Sequence, residues 1–229
     1  SDVCSSDLGV LNFKYRELYE LIDYAYRNNL QVACHAIGDK MVRIYLELID
    51  NMKNKYNKDL RPRLIHCQIM NMELIRKMAR LGVLADVQPM FVGTDWQIAE
   101  QRVGKRKCMT SYAWKSLMEA GVIVSGGSDI PVESYKPLSG IRCAVTREDE
   151  NGEPKGGWNP FEKVTVYDAI RMYTYNSAFA EFKEDRKGMI KEGYEADFVI
   201  LEQDPYLVES DLLASIPIYG TVVNGDMSV

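Results

Sequence analysis

Apolar residues recur at helical spacing over residues 13–29, where Phe13, Leu18, Leu21, Ile22, Ala25 and Tyr26 share one face. The next segment, Leu30–His35, is short, apolar and bounded by polar residues, which predicts a buried strand. These two textures then alternate along the chain. Residues 39–56 predict a helix with Met41, Ile44, Tyr45, Leu48 and Ile49 on one face; Pro62–Gln68 predicts a strand and 71–81 a helix. Gly82–Gln88 predicts a strand, 96–107 and 110–120 helices, and Gly121–Asp129 a strand that breaks into a glycine-rich turn. A helix is expected over 137–149, a loop over Asn151–Pro160 from its Gly, Pro and Asn content, and a helix over Thr165–Phe182 with Thr165 as N-cap.

Strand and helix thus alternate at least four times between residues 30 and 182, and each strand is short and apolar throughout. That is the pattern of a parallel sheet covered on both faces, an α/β fold. After residue 185 the texture changes to Gly turns and short Val/Ile runs, so 186–229 predict a small β-element. The opening SDVCSSDL carries no periodicity and no Met, and residues 1–8 are set apart as a tag or artificial junction. Three parts result: 1–8, 9–185 and 186–229. A (β/α)8 barrel needs about 200–250 residues. Residues 9–185 hold four βα units, so the sequence offers either a compact open sheet or the second half of a barrel.

Composition narrows the function classes. Of the 229 residues, 46% are hydrophobic and 27% charged, an ordinary soluble balance, and the net charge is −5. The one basic cluster, Lys105–Lys107, is a solvated helix face rather than the stripe a nucleic-acid binder shows. No apolar run reaches the roughly 18 residues of a membrane helix, and no signal peptide is expected. The five cysteines are odd in number, widely spaced and without a CxxC, which favours reduced thiols in the cytoplasm.

Only two histidines occur. His35 ends the first predicted strand, His66 lies near the end of the second, and Asp129 follows the fourth. Ligands and catalytic groups gather at the carboxyl edge of a parallel sheet. Two imidazoles and a carboxylate there are donors suited to zinc or a similar divalent metal. Strand alternation sets Cys34 and Cys67 on the opposite side from the histidines, against the covering helices, as buried inert thiols. The SGGSD turn, Ser125–Asp129, lacks the pattern of a phosphate loop. Gln88, before Pro89, either ends the third strand or walls a substrate cleft. Tyr112, Trp114, Tyr173 and Tyr175 are read as packing residues.

Four segments taken together, CHAIGDK (34–40), RPRLIHCQ (61–68), LGVLADVQP (81–89) and GGSDIPVESYKPLSGIRCAVTR (126–147), resemble the amidohydrolase superfamily, in its YtcJ-like branch, amidohydrolase family 3. KGMIKEGYEADFVILEQDP (187–205) is similar to the closing half of that family's small β-sandwich. The resemblance implies the second half of a TIM-like (β/α)8 barrel with the C-terminal part of the sandwich. It also implies hydrolysis of a non-peptide C–N bond, with one or two divalent ions, zinc foremost, activating water. By position, His35 and His66 are its fifth- and sixth-strand metal ligands. Asp129 is its eighth-strand ligand and the acceptor of the water's proton. The His-x-His pair and the fourth-strand ligand of the family have no counterpart in this chain, which reads as a C-terminal fragment, inactive alone. His66-Cys67-Gln68 stands where the family commonly has His-Ala-Gln. A small-molecule substrate is expected, with no nucleic acid or membrane partner, and homo-oligomerisation stays open. Two competing readings are a non-catalytic regulatory or binding protein that kept the fold, and a metallo-phosphoesterase.

Overall fold

The computed structural model describes residues 10–228; the segment 1–8, with Cys4, lies outside the described residues. In chain order the elements are α1 (Tyr15–Arg27), β1 (Ala33–Ala36), α2 (Asp39–Tyr56), β2 (Arg63–His66), α3 (Met72–Leu81), β3 (Leu84–Val87), α4 (Phe91–Val103), α5 (Lys105–Cys108), α6 (Trp114–Glu119), β4 (Val124–Gly126), α7 (Pro137–Thr146), α8 (Val166–Tyr173), α9 (Tyr175–Ala180), β5 (Phe198–Leu201), β6 (Ile218–Val223) and β7 (Asp226–Ser228). The described chain falls into two compact units. One runs up to Val87 and includes Asp95–Val124; the other joins Gln88–Thr94 to Ser125 onward.

In the first unit, β1, β2 and β3 pair in parallel and in order. This is the mixed α/β fold with a parallel sheet that the alternation predicts. Helix α2 buries Val42, Tyr45, Leu46, Leu48, Ile49 and Met52, a stripe at helical spacing that forms one side of the core. Helix α3 starts where the Asn71 side chain accepts the Leu74 amide at 2.9 Å and stops at Gly82, whose φ of 61° closes the helix in the left-handed region. Helices α1 and α2 are tied by Asp23, which accepts from Lys55 Nζ and Tyr56 Oη, both at 2.7 Å.

The strands are not equally covered. β3 is buried at every position, including Asp86, which meets the Arg63 guanidinium at 2.6 Å. β1 departs from the expectation of full cover: Ala33 and His35 are exposed. The cause is topological, since β1 is an edge strand with a sheet partner on one side only among the described residues.

The second unit contains α7 to α9 and an antiparallel sheet in the order β5-β6-β7. Asn224 and Gly225, both at positive φ, make the two-residue turn between β6 and β7, the conformation that Asn-Gly favours. Helix α7 follows Pro137 at its first position and ends earlier than expected, because Arg147 takes φ 57°. Thr165 caps α8 as predicted, its hydroxyl accepting the Asp168 amide at 3.1 Å. The single helix expected over 165–182 is broken at Thr174 (φ −125°, ψ −97°). There the Thr174 hydroxyl donates to Ile170 O at 2.9 Å, a local bond that competes with the helical ladder. Among the described residues, no helix is long and apolar enough to cross a membrane.

Candidate metal centre

His35 is the third residue of β1 and His66 the last of β2. Their rings meet, with His35 Nδ1 and His66 Nε2 2.9 Å apart and the ring centroids separated by 4.8 Å. Alternation alone does not bring this about. Across the parallel pair, His35 is in register with Ile65, and His66 with Ala36. A regular pleat would put the two imidazoles on opposite faces. His66 leaves the strand region, with φ 79°, and Cys67 follows at φ 51°. This departure at the strand end turns the second imidazole toward the first. Positive φ is uncommon outside glycine and marks strain held by its surroundings.

The short N···N distance has a direct chemical reading. Two neutral imidazoles this close share one proton, one ring donating and the other accepting. A divalent ion in place of that proton would use both lone pairs. Nitrogens held at about 2.0–2.1 Å by one tetrahedral zinc stand roughly 3.3 Å apart, so the pair fits two ligand positions after a small ring movement. Among the described residues, no group of three or more His, Cys, Asp or Glu is placed to hold a metal ion. The chain thus presents two facing nitrogen donors.

Asp129 lies three residues beyond β4, in the second unit. It is exposed, at φ 55°, and its carbonyl accepts the Val132 amide at 2.8 Å. Nearby, Glu133 accepts the Thr94 hydroxyl at 3.0 Å. Gln88 follows β3, is buried, and its carbonyl accepts the Phe91 amide at 3.0 Å.

Cys67 is buried as expected, though not through alternation, which fails at residues 66–67; Cys34, on the edge strand, is only half-buried. Cys67 is fully buried and donates to Leu64 O at 3.1 Å. Burial raises the Cys34 thiol to about 11 and holds Cys67 well above its ordinary value, Asp86 adding to the latter. Neither thiol is a ready metal ligand, because the thiolate is the ligating form. Tyr112 and Trp114 are buried packing residues. A polar cluster follows His66 that sequence reasoning did not single out: Asp95 accepts from Tyr112 Oη at 2.5 Å and from Gln68 Nε2 at 3.4 Å. Its only signal is the polar Gln68 directly after the His-Cys pair.

A parallel α/β unit with two imidazoles at adjacent strand ends has the layout of metal-dependent hydrolases, and solved structures share its fold. The fold matches an uncharacterized metal-dependent hydrolase from Pyrococcus horikoshii with a TM-score of 0.79 and 28% identity, over 90% of this chain and 40% of that one. It also matches a Xaa-Pro dipeptidase with a TM-score of 0.66 and 18% identity, over 94% of this chain and 49% of that one, a likeness of fold alone. The model of the family described as "Amidohydrolase family" covers residues 2–229. The chain therefore belongs to the amidohydrolase family, in its YtcJ-like branch, amidohydrolase family 3. It is 39% identical to YtcJ of Bacillus subtilis (strain 168), an amidohydrolase by name, over 92% of this chain and 39% of that protein. It is 28% identical to an N-substituted formamide deformylase of Arthrobacter pascens, over 98% of this chain and 41% of that protein. The chain spans about two fifths of the length of these relatives.

Proposed function

We propose that this chain is the C-terminal part of a metal-dependent amidohydrolase that cleaves a non-peptide C–N bond in a small amide. The observation that carries the reading is the 2.9 Å approach of the His35 and His66 nitrogens at adjacent parallel strand ends. A divalent ion, zinc foremost, would supply the chemistry there by lowering the pKa of a water toward about 7. His35 and His66 would hold it as neutral imidazoles. Asp129 is assigned as a further ligand and as the base, which would take the water's proton and return it to the leaving amine. Gln88 lines the substrate cleft. In this reading residues 9–185 are the second half of a TIM-like barrel and 186–229 the closing strands of a β-sandwich, while residues 1–8 are a junction. The deformylase relative supports an amide substrate. The free thiols Cys34, Cys67, Cys108 and Cys143 support a cytoplasmic setting.

The reading is tested by zinc equilibrium dialysis and turnover of N-substituted formamides and cyclic amides, with this chain and with the full-length enzyme side by side. The full-length enzyme is expected to bind zinc stoichiometrically and turn over, and Asp129→Asn to lower its rate by about 10²–10⁴-fold while leaving the fold intact. The 229-residue chain is expected to bind zinc weakly and show no turnover. An Asp129→Asn enzyme that keeps more than a third of the rate refutes the assigned base. Tight zinc with multiple turnover by the short chain refutes its role as an incomplete part.

A further inference from the structure

The turn that carries Asp129 is wedged in place by an aromatic ring from α8. Gly126 closes β4, and a Cβ added there would meet Tyr173 Cε2 at 2.6 Å and Cζ at 2.8 Å. Gly140 lies inside α7, buried, and a Cβ added there would overlap the Tyr173 hydroxyl oxygen and reach Cζ at 2.8 Å. The Tyr173 ring therefore occupies a slot that exists only because both positions are glycine. Its hydroxyl also points to Gly127 O at 3.4 Å, which is long for an O–H donor. The fit is thus chiefly steric, with the hydroxyl as an added contact. Burial, with a smaller effect of Cys143, raises the phenol above its ordinary value and keeps it a neutral donor. Gly126 and Gly127 have no side chains of their own with which to fix the backbone that leads to Asp129. A rigid neighbour has to do it.

We infer that Tyr173 is a positioning residue: its ring, clamped between Gly126 and Gly140, fixes the Gly126–Asp129 turn and so the direction of the Asp129 carboxylate. The inference rests on the proposed role of Asp129 for its effect on rate, and on steric fit alone for its effect on the turn.

Gly140→Ala gives a test whose sign is decisive. In a helix interior, alanine ordinarily stabilises relative to glycine. Here it should do the reverse, because the new methyl drives the ring off the turn. Tyr173→Phe in the same chain removes the overlapping oxygen and leaves Cζ at 2.8 Å as the nearest obstacle, so it should restore part of the loss. Amide hydrogen exchange on this chain reads the turn directly. Gly140→Ala is expected to speed exchange at Val132, whose amide closes the turn on Asp129 O, about tenfold, with Leu64 and Ala85 in the parallel sheet unchanged. The double variant is expected to recover at least threefold. In the full-length enzyme, kcat should fall about tenfold with KM unchanged, and recover in the same order. Exchange that is unchanged or slower in Gly140→Ala overturns the inference, as does a double variant no better than the single one, failure of both to fold included. An Asp129→Asn enzyme that keeps its rate overturns the role of Asp129 and with it the predicted kcat effect, while the exchange result still decides whether Tyr173 fixes the turn.

Discussion

The left-handed backbone at His66 makes the imidazole pair costly to the fold, and that cost can be measured. A non-glycine residue at positive φ carries about 1–3 kcal/mol of strain. Replacing His66 by Gly removes the strain but adds about 0.4–1 kcal/mol of unfolded-state entropy. Replacing it by Ala keeps most of the strain and adds no such entropy. Both variants lose the same buried ring, so that loss cancels in their comparison. With φ at 79°, His66→Gly should be more stable than His66→Ala by about 1 kcal/mol, or roughly 2–4 °C for a chain of this size. At ordinary β positions the order is reversed, since glycine weakens strands. Thermal and urea unfolding of the two variants, metal-free, is the assay. A second arm adds zinc to the full-length enzyme: at a hundredfold excess over Kd the wild type should gain about 2.7 kcal/mol, and neither variant should gain. An alanine variant as stable as the glycine variant would falsify the strained conformation, and with it the account of how the two imidazoles meet.

Two further outcomes follow from packing and charge. Leu64 is fully buried in an inner strand of the sheet, so Leu64→Ala should cost about 2.7–5 kcal/mol, seen as a lower urea midpoint with an unchanged slope; a loss under about 1 kcal/mol contradicts the core placement. Hydrogen bonds from Lys55 and then Tyr56 hold the Asp23 carboxyl below its usual range. Because its folded pKa is depressed, the stability it adds is present above the unfolded carboxyl value of about 4 and lost as pH falls through the folded one. Unfolding curves of the wild type and Asp23→Asn should therefore converge on acidification, and a gap that widens toward low pH refutes the assignment.

Much of the architecture was legible because it rests on periodicity. The buried stripe of α2, the cap at Thr165 and the alternation that lays down β1 to β3 all follow from spacing and local chemistry. His35 and His66 were legible as a pair because they are the only histidines and both close apolar runs. Their meeting was not legible for the reason given. Period-two reasoning treats each strand as regular to its end, whereas the register and the positive φ at His66 decide the faces. The break at Thr174 was hidden because a continuous apolar pattern does not reveal a hydroxyl that bonds back to Ile170. The clamp on Tyr173 depends on two glycines, one 47 residues and the other 33 residues before it, and only the folded chain brings them together.

The position of His35 on an edge strand links two processes that look separate. One long side of β1 offers backbone donors and acceptors without a sheet partner among the described residues, and the same four-residue strand carries a nitrogen of the imidazole pair. A chain that paired along that edge would hold the same strand that carries His35. If such pairing raised the affinity for a cation, the cation would by thermodynamic reciprocity favour the pairing by the same factor.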